Sequence, residues 1–137
     1  MELQTIIIRL VASILVGGLV GLERELEHKP AGLRTIMLVC LGSTIFMLIG
    51  FELCEFGSDL GRIAAGVVTG VGFLGAGAII RARGEVHGLT TAATIWLASG
   101  LGLAIGAGHY VLAVIACILV LMVLRILGVV ERALSKK

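Results

Sequence analysis

Three carboxylates, Glu52, Glu55 and Asp59, stand three and four residues apart and share one face if a helix continues through them. Magnesium is usually held through one or two carboxylates and several retained waters. The trio is therefore a candidate weak magnesium site, against the reading of a solvated acidic loop interrupted at Gly57. A second charged group, Glu23, Arg24 and Arg34, flanks a short polar stretch, and a Glu23 to Arg34 ion pair across it is expected, the other reading being interfacial charges that mark helix ends. A third motif, "VTGVGFLGAG" at 68–77, holds Gly70-x-Gly72-x-x-Gly75, the spacing of a dinucleotide loop. That loop needs a preceding strand and an acidic residue about 20 positions on, where this chain has Thr90. No GxSxG, HExxH or paired-carboxylate pattern occurs, and His28, His87 and His109 lack a further ligand at fixed spacing. The expectation is a protein that is not an enzyme, with no cofactor beyond weakly held magnesium.

These residues must be positioned by elements suited to a bilayer. The 137 residues are 58% hydrophobic and 15% charged, where soluble domains carry roughly 25% charged residues. Crossing the hydrocarbon core takes about 20 mostly apolar residues in helical form. Stretches near 4–22, 33–51, 63–80, 89–107 and 109–128 meet that length, which predicts an all-α, five-helix, multi-pass membrane domain occupying the whole chain. The first is read as a retained span, since "MELQ" has no basic segment and no cleavage signal follows.

Arg24, Lys29 and Arg34, then Arg81 and Arg83, then Arg125, Arg132, Lys136 and Lys137 all fall on one side; only Arg9 and Arg62 fall on the other, where they are expected to snorkel. Short cytoplasmic loops carry the excess of Lys and Arg, so the N-terminus is expected outside and the C-terminus in the cytoplasm of an inner membrane. No basic stripe suggests nucleic acid. Cys40, Cys54 and Cys117 form no CxxC and read as small packing residues.

Gly17-x-x-x-Gly21 and Gly66-x-x-x-Gly70 are small-xxx-small patterns that allow helix backbones to approach closely, and Gly72, Gly75 and Gly77 extend the second. "AGLRTIMLVCLGS" (31–43) and "HGLTTAATIWLAS" (87–99) match at a shift of 56, including Gly32/Gly88, Thr35/Thr91 and Ser43/Ser99, with Gly21/Gly77 at the same offset. Two readings stand: chance similarity of apolar segments, or two parallel helix-hairpin repeats with the fifth helix outside the pair. In the second, helix starts near Thr35 and Thr91 offer free amides to carboxylates or phosphates, while Thr90 and Thr91 also suit plain N-caps.

Taken together, "GGLVGLERE" (17–25), "AGLRT" (31–35), "MLVCLGS" (37–43), Asp59-x-x-Arg62-Ile-Ala-Ala, "GVGFLGAGAI" (70–79) and "GLTTAATIW" (88–96) resemble the membrane domain of the MgtC/SapB family over about 9–108. The resemblance implies a small inner-membrane protein linked to adaptation to low magnesium and, in some members, to survival inside host cells. Members are also described as binding the F-type ATP synthase. Its motifs mark Glu23, Arg24, Arg34, Thr35, Asp59, Arg62, Thr90, Thr91 and Trp96 as candidate interaction residues. The chain departs from the family pattern at Ile36, Leu60 and Gly66, and the soluble C-terminal domain of longer members is expected to be absent.

Three function classes follow: a regulatory protein that binds a membrane partner, a magnesium transporter or channel, and a structural homo-oligomer. A transporter places charged or polar groups at the midplane of several spans. Here Ser13, Ser43, Thr44, Thr69, Thr94 and Ser99 are the polar residues at that depth, which favours the partner-binding class.

Overall fold

The computed structural model describes residues 1–54, 59–82 and 85–134, without the side chains of 54, 81, 82 and 130–134. Five helices follow one another: α1 (Leu3–Leu26), α2 (Leu33–Cys54), α3 (Leu60–Gly77), α4 (Leu89–Gly106) and α5 (Tyr110–Leu134). Each contains a segment long and apolar enough to cross a membrane. The expected five-span, all-α architecture is thus the observed one. One small addition was not expected: between α3 and α4, β1 (Ile80–Ala82) pairs antiparallel with β2 (Glu85–His87), Ile80 opposite His87.

Local chemistry explains the helix limits. Pro30 cannot continue α1, and after the turn the Glu25 carboxylate accepts the Leu33 amide at 3.0 Å, satisfying an otherwise orphaned donor at the start of α2. Asp59 caps α3 by accepting from the Gly61 amide at 2.8 Å. Gly88, at φ +88°, turns the chain from β2 into α4. Gly108, at φ +86°, makes the short link to α5.

The core lies where α2 and α4 meet, between α1 and α5. Ile36 and Cys40 from α2 meet Ile95, Ala98, Leu101 and Ile105 from α4, while α5 adds Ala113, Cys117 and Val120 at helical spacing. Side chains on the outward faces are large and apolar, with Leu15, Leu19, Phe73 and Val111 all exposed. An apolar exterior around an interior containing buried hydroxyls and charges is what lipid as solvent requires.

Glycine determines how close the helices come. A Cβ on Gly17 would lie 2.9 Å from Cys40 Cβ, and one on Gly21 would lie 2.8 Å from Leu33 Cα, so this pair seats α1 on α2 as expected. The pair that seats α4 on α2 is Gly102-x-x-x-Gly106, which went unremarked in the sequence. A Cβ on Gly106 would fall 2.7 Å from Met47 Cβ, and one on Gly102 would collide with the Cys40 carbonyl. The Thr44 hydroxyl donates to the Gly102 carbonyl at 2.8 Å across the same seam.

The second stripe requires a correction. Added Cβ atoms at Gly66, Gly70, Gly72 and Gly77 would meet nothing within 4 Å, and at Gly75 only ordinary contact with Ala92. Gly75 does lie on the packed side of α3, with Val71, but Gly66, Gly70, Gly72 and Gly77 do not pack the helix against the described residues, because α3 turns them outward. The 56-residue offset behaves likewise. Ser43 and Ser99 are both buried and both donate to carbonyls of their own helices, yet Gly21 is pressed against Leu33 while Gly77 is open.

Candidate functional site

At the end of the bundle that carries the α1–α2 turn, two ionisable residues enter the interior. Glu23 is 5% exposed and Arg24 3%. Arg24 Nη2 donates to Thr91 Oγ1 at 2.6 Å, tying the last turns of α1 to the first turn of α4. Glu23 Oε2 and Arg24 Nε are buried with no hydrogen-bond partner among the described residues. Both side chains line a hollow of about 570 Å³, closed by Lys29, His87, Thr90 and the α5 residue Leu124.

The positions follow from helical geometry. Neighbours in sequence project about 100° apart on a helix and do not face each other, so Glu23 and Arg24 cannot form a bidentate pair. Arg24 turns toward α4. Glu23 also borders a second, apolar hollow between α1 and α5, walled by Leu19, Leu22 and Met122. The expected Glu23 to Arg34 pair is absent among the described residues. Arg34 and Thr35 lie exposed on the first turn of α2, whereas Glu23 borders hollows walled by α5.

Thr91 also differs from expectation. Gly88 occupies the cap position of α4, and Thr91, inside the first turn, accepts the guanidinium instead. Thr90 is exposed, and its carbonyl accepts from the Thr94 hydroxyl at 2.8 Å. Trp96 is 49% exposed on the outer face of α4.

The far end of the bundle carries Glu52, Asp59 and Arg62. Glu52 is exposed, Glu55 lies outside the described residues, and one oxygen of Asp59 is engaged in capping α3. Among the described residues no group of three metal-ligating side chains converges. Arg62 is exposed and lines an apolar groove of about 620 Å³ between α2 and α3, bordered by Gly66, Gly70 and Phe46.

Arg9 was expected to snorkel outward and does something more specific. Its Nη1 donates to the Gly106 carbonyl at 2.6 Å at the C-terminal end of α4, and its guanidinium stands 5.5 Å from the centre of the Phe51 ring. A cation suits the negative end of a helix dipole. Its place as one of two arginines, with Arg62, on the side otherwise without basic residues was the available signal for this role.

Five apolar helices in a tight glycine-seated bundle, with buried charge at one end, define a multi-pass α-helical membrane protein. The MgtC family profile matches residues 10–133, and the chain belongs to that family. It is 44% identical over 127 residues to the putative magnesium transporter YhiD of Escherichia coli strain K12, covering 88% of this chain and 59% of that protein. It is 44% identical over 115 residues to protein MgtC of Salmonella typhimurium strain 14028s, covering 84% of this chain and 49% of the relative. An uncharacterized protein of Haemophilus influenzae is 35% identical over 138 residues, with 94% and 58% covered. The chain thus spans about half to three-fifths of the length of these relatives. No solved structure matches it.

Proposed function

We propose that this protein acts in the bacterial inner membrane, in adaptation to low magnesium, by binding another membrane protein through α3. The observation that carries the reading is the outward glycine face of that helix. Gly17, Gly21, Gly102 and Gly106 are filled by neighbouring helices, while Gly66 and Gly70 border an open groove beside α2. Small residues on a lipid-facing helix let a partner helix approach closely, in a solvent that supplies no hydrophobic drive for association. The F-type ATP synthase is the proposed partner, on the strength of the resemblance; a second copy of this chain is the alternative occupant. The distribution of basic residues supports an N-terminus outside and a cytoplasmic C-terminus, so the Glu23 and Arg24 end faces the cytoplasm. Reporters fused after Glu27 and after Lys137 are expected to read cytoplasm.

The second reading, magnesium transport, is supported by the name of the YhiD relative. Against it stands the chemistry of the interior. Among the described residues, the buried polar side chains along the spans are the neutral hydroxyls of Ser13, Ser43, Thr44, Thr94 and Ser99, with carboxylate only at the bundle's end in Glu23, and such groups are poor replacements for the waters of an ion that dehydrates reluctantly.

Gly70→Leu tests the first reading. Its Cβ meets nothing within 4 Å among the described residues, so the fold should survive while a copurifying membrane complex is lost. A complex retained in both Gly66→Leu and Gly70→Leu refutes docking through α3. Purified protein in liposomes should give no magnesium flux above empty vesicles. Saturable flux that disappears in Asp59→Asn, which keeps a capping side chain, would replace the partner reading with transport.

A further inference from the structure

A carboxylate and a guanidinium, each at least nine-tenths buried, end in atoms that nothing among the described residues satisfies. Glu23 Oε2 lacks a donor and Arg24 Nε lacks an acceptor. Glu23 and Glu27 both lie within electrostatic reach of Arg24, so the charges are partly balanced, but a buried polar atom left without a hydrogen bond is costly, and adjacent helix positions keep Glu23 and Arg24 from bonding each other. Both line the polar hollow of about 570 Å³, with Lys29 and His87 toward its rim. What completes them must bring a hydrogen-bond donor to Glu23 and an acceptor to Arg24, within one small volume, and the carboxylates Glu23 and Glu27 on its lining favour a donor that carries positive charge.

The surroundings narrow the choice. Glu23 also borders the hollow of about 460 Å³ between α1 and α5, whose walls include Leu19, Leu22, Leu26 and Met122, with the exposed Arg125 among them. A polar chamber at the level of the helix ends therefore adjoins an apolar trough running along the span, with Glu23 at the junction. That is the division of a phospholipid into headgroup and acyl chain, at the depth where lipids place each part.

We infer that the α1–α5 seam is a binding site for an aminophospholipid, its phosphate on Arg24 with Lys29 nearby and its primary ammonium on Glu23. Arg24 spends Nη2 on Thr91, and Nε remains for a phosphate oxygen. The ammonium supplies the N–H donors and the positive charge that Glu23 lacks. An anionic phosphatidylglycerol headgroup brings a phosphate and hydroxyl donors but no positive charge, and so gives Glu23 only the weaker, neutral hydrogen bond beside a second negative group. A phosphatidylcholine headgroup brings positive charge with no N–H to donate. The site is independent of partner binding through α3, so loss of a copurified complex and loss of lipid preference are separate results.

The test uses the full chain, purified and delipidated in detergent, with phosphatidylethanolamine, phosphatidylcholine and phosphatidylglycerol of matched acyl chains titrated in turn, and binding read by native mass spectrometry. One hydrogen bond to a charged group corresponds to roughly tenfold or more in affinity, so phosphatidylethanolamine should bind about tenfold tighter than either rival. Glu23→Gln, which keeps size and removes charge, should reduce that preference to near unity. Leu22→Trp, at a position half exposed on the trough wall, should weaken all three lipids and leave the order unchanged. Equal binding of the three lipids by the native chain overturns the inference, as does a preference for phosphatidylglycerol. So does a preference for phosphatidylethanolamine that persists in Glu23→Gln. Soluble phosphoethanolamine displacing the lipid as well as intact lipid would show that the trough takes no part, and would likewise overturn it.

Discussion

Gly102→Ala is the substitution whose cost the structure sets most directly. The new Cβ would collide with the backbone carbonyl of Cys40 and would sit 2.8 Å from Ser43 Cβ, about 0.6 Å inside the 3.4 Å at which ordinary contact begins. Backbone cannot swing aside as a flexible side chain can, so α4 must move away from α2. Overpacking of this kind costs about 1–3 kcal/mol. The same movement stretches the 2.8 Å bond from Thr44 to the Gly102 carbonyl, and such interhelical bonds contribute about 0.6 kcal/mol on average in membranes. Alanine recovers roughly 0.5–1 kcal/mol through its better helix propensity, leaving a net loss of about 1–3 kcal/mol. Gly100→Ala, two residues away on the same helix, is the control, because its Cβ meets nothing within 4 Å and only the propensity gain remains. Equilibrium unfolding in mixed micelles of increasing denaturing-detergent fraction should separate the two variants by about 2 kcal/mol or more. Equal stability of Gly102→Ala and Gly100→Ala would refute the claim that these glycines seat α4 on α2.

Three further substitutions test the ends of the bundle. Gly88→Ala places a side chain at φ +88° and drives its Cβ into the Ala78 carbonyl, so it should cost at least about 1–2 kcal/mol by the same unfolding measurement; native-like stability would contradict the tight approach of α4 to the end of α3. Arg9→Gln removes the charge-assisted bond to the Gly106 carbonyl and the cation beside Phe51, for an expected loss of about 1.5–3 kcal/mol, and a neutral result would mean that Arg9 merely marks the interface. Asp59→Ala should lower stability by about 1 kcal/mol while Asp59→Asn stays near the native value, and equal losses would show that the charge matters more than the cap.

Much was legible before any fold was known, because lipid imposes a severe rule: every backbone amide must be satisfied internally, so a spanning segment is a long apolar helix and announces itself by composition. The five helices lie where the apolar stretches predict, and α1–α2 packing through Gly17 and Gly21 follows from their spacing. Glu23 and Arg24 were legible as costly charges at a span's end, since ionisable residues near hydrocarbon are rare enough to stand out. Spacing along one helix, however, says that small residues share a face, never which neighbour that face meets. Gly66 and Gly70 have the same pattern as Gly17 and Gly21 and remain open, while Gly102 and Gly106 carry the tightest seam. The partners of the charges were also beyond local reading. Arg24 reaches a threonine 67 residues away and Arg9 a carbonyl 97 residues away, distances in sequence that only the packing of whole helices closes. Composition and period determined that five helices form and cross a membrane; the tertiary arrangement decided which faces meet, because contact between helices depends on their relative rotation and separation, and no residue specifies either alone.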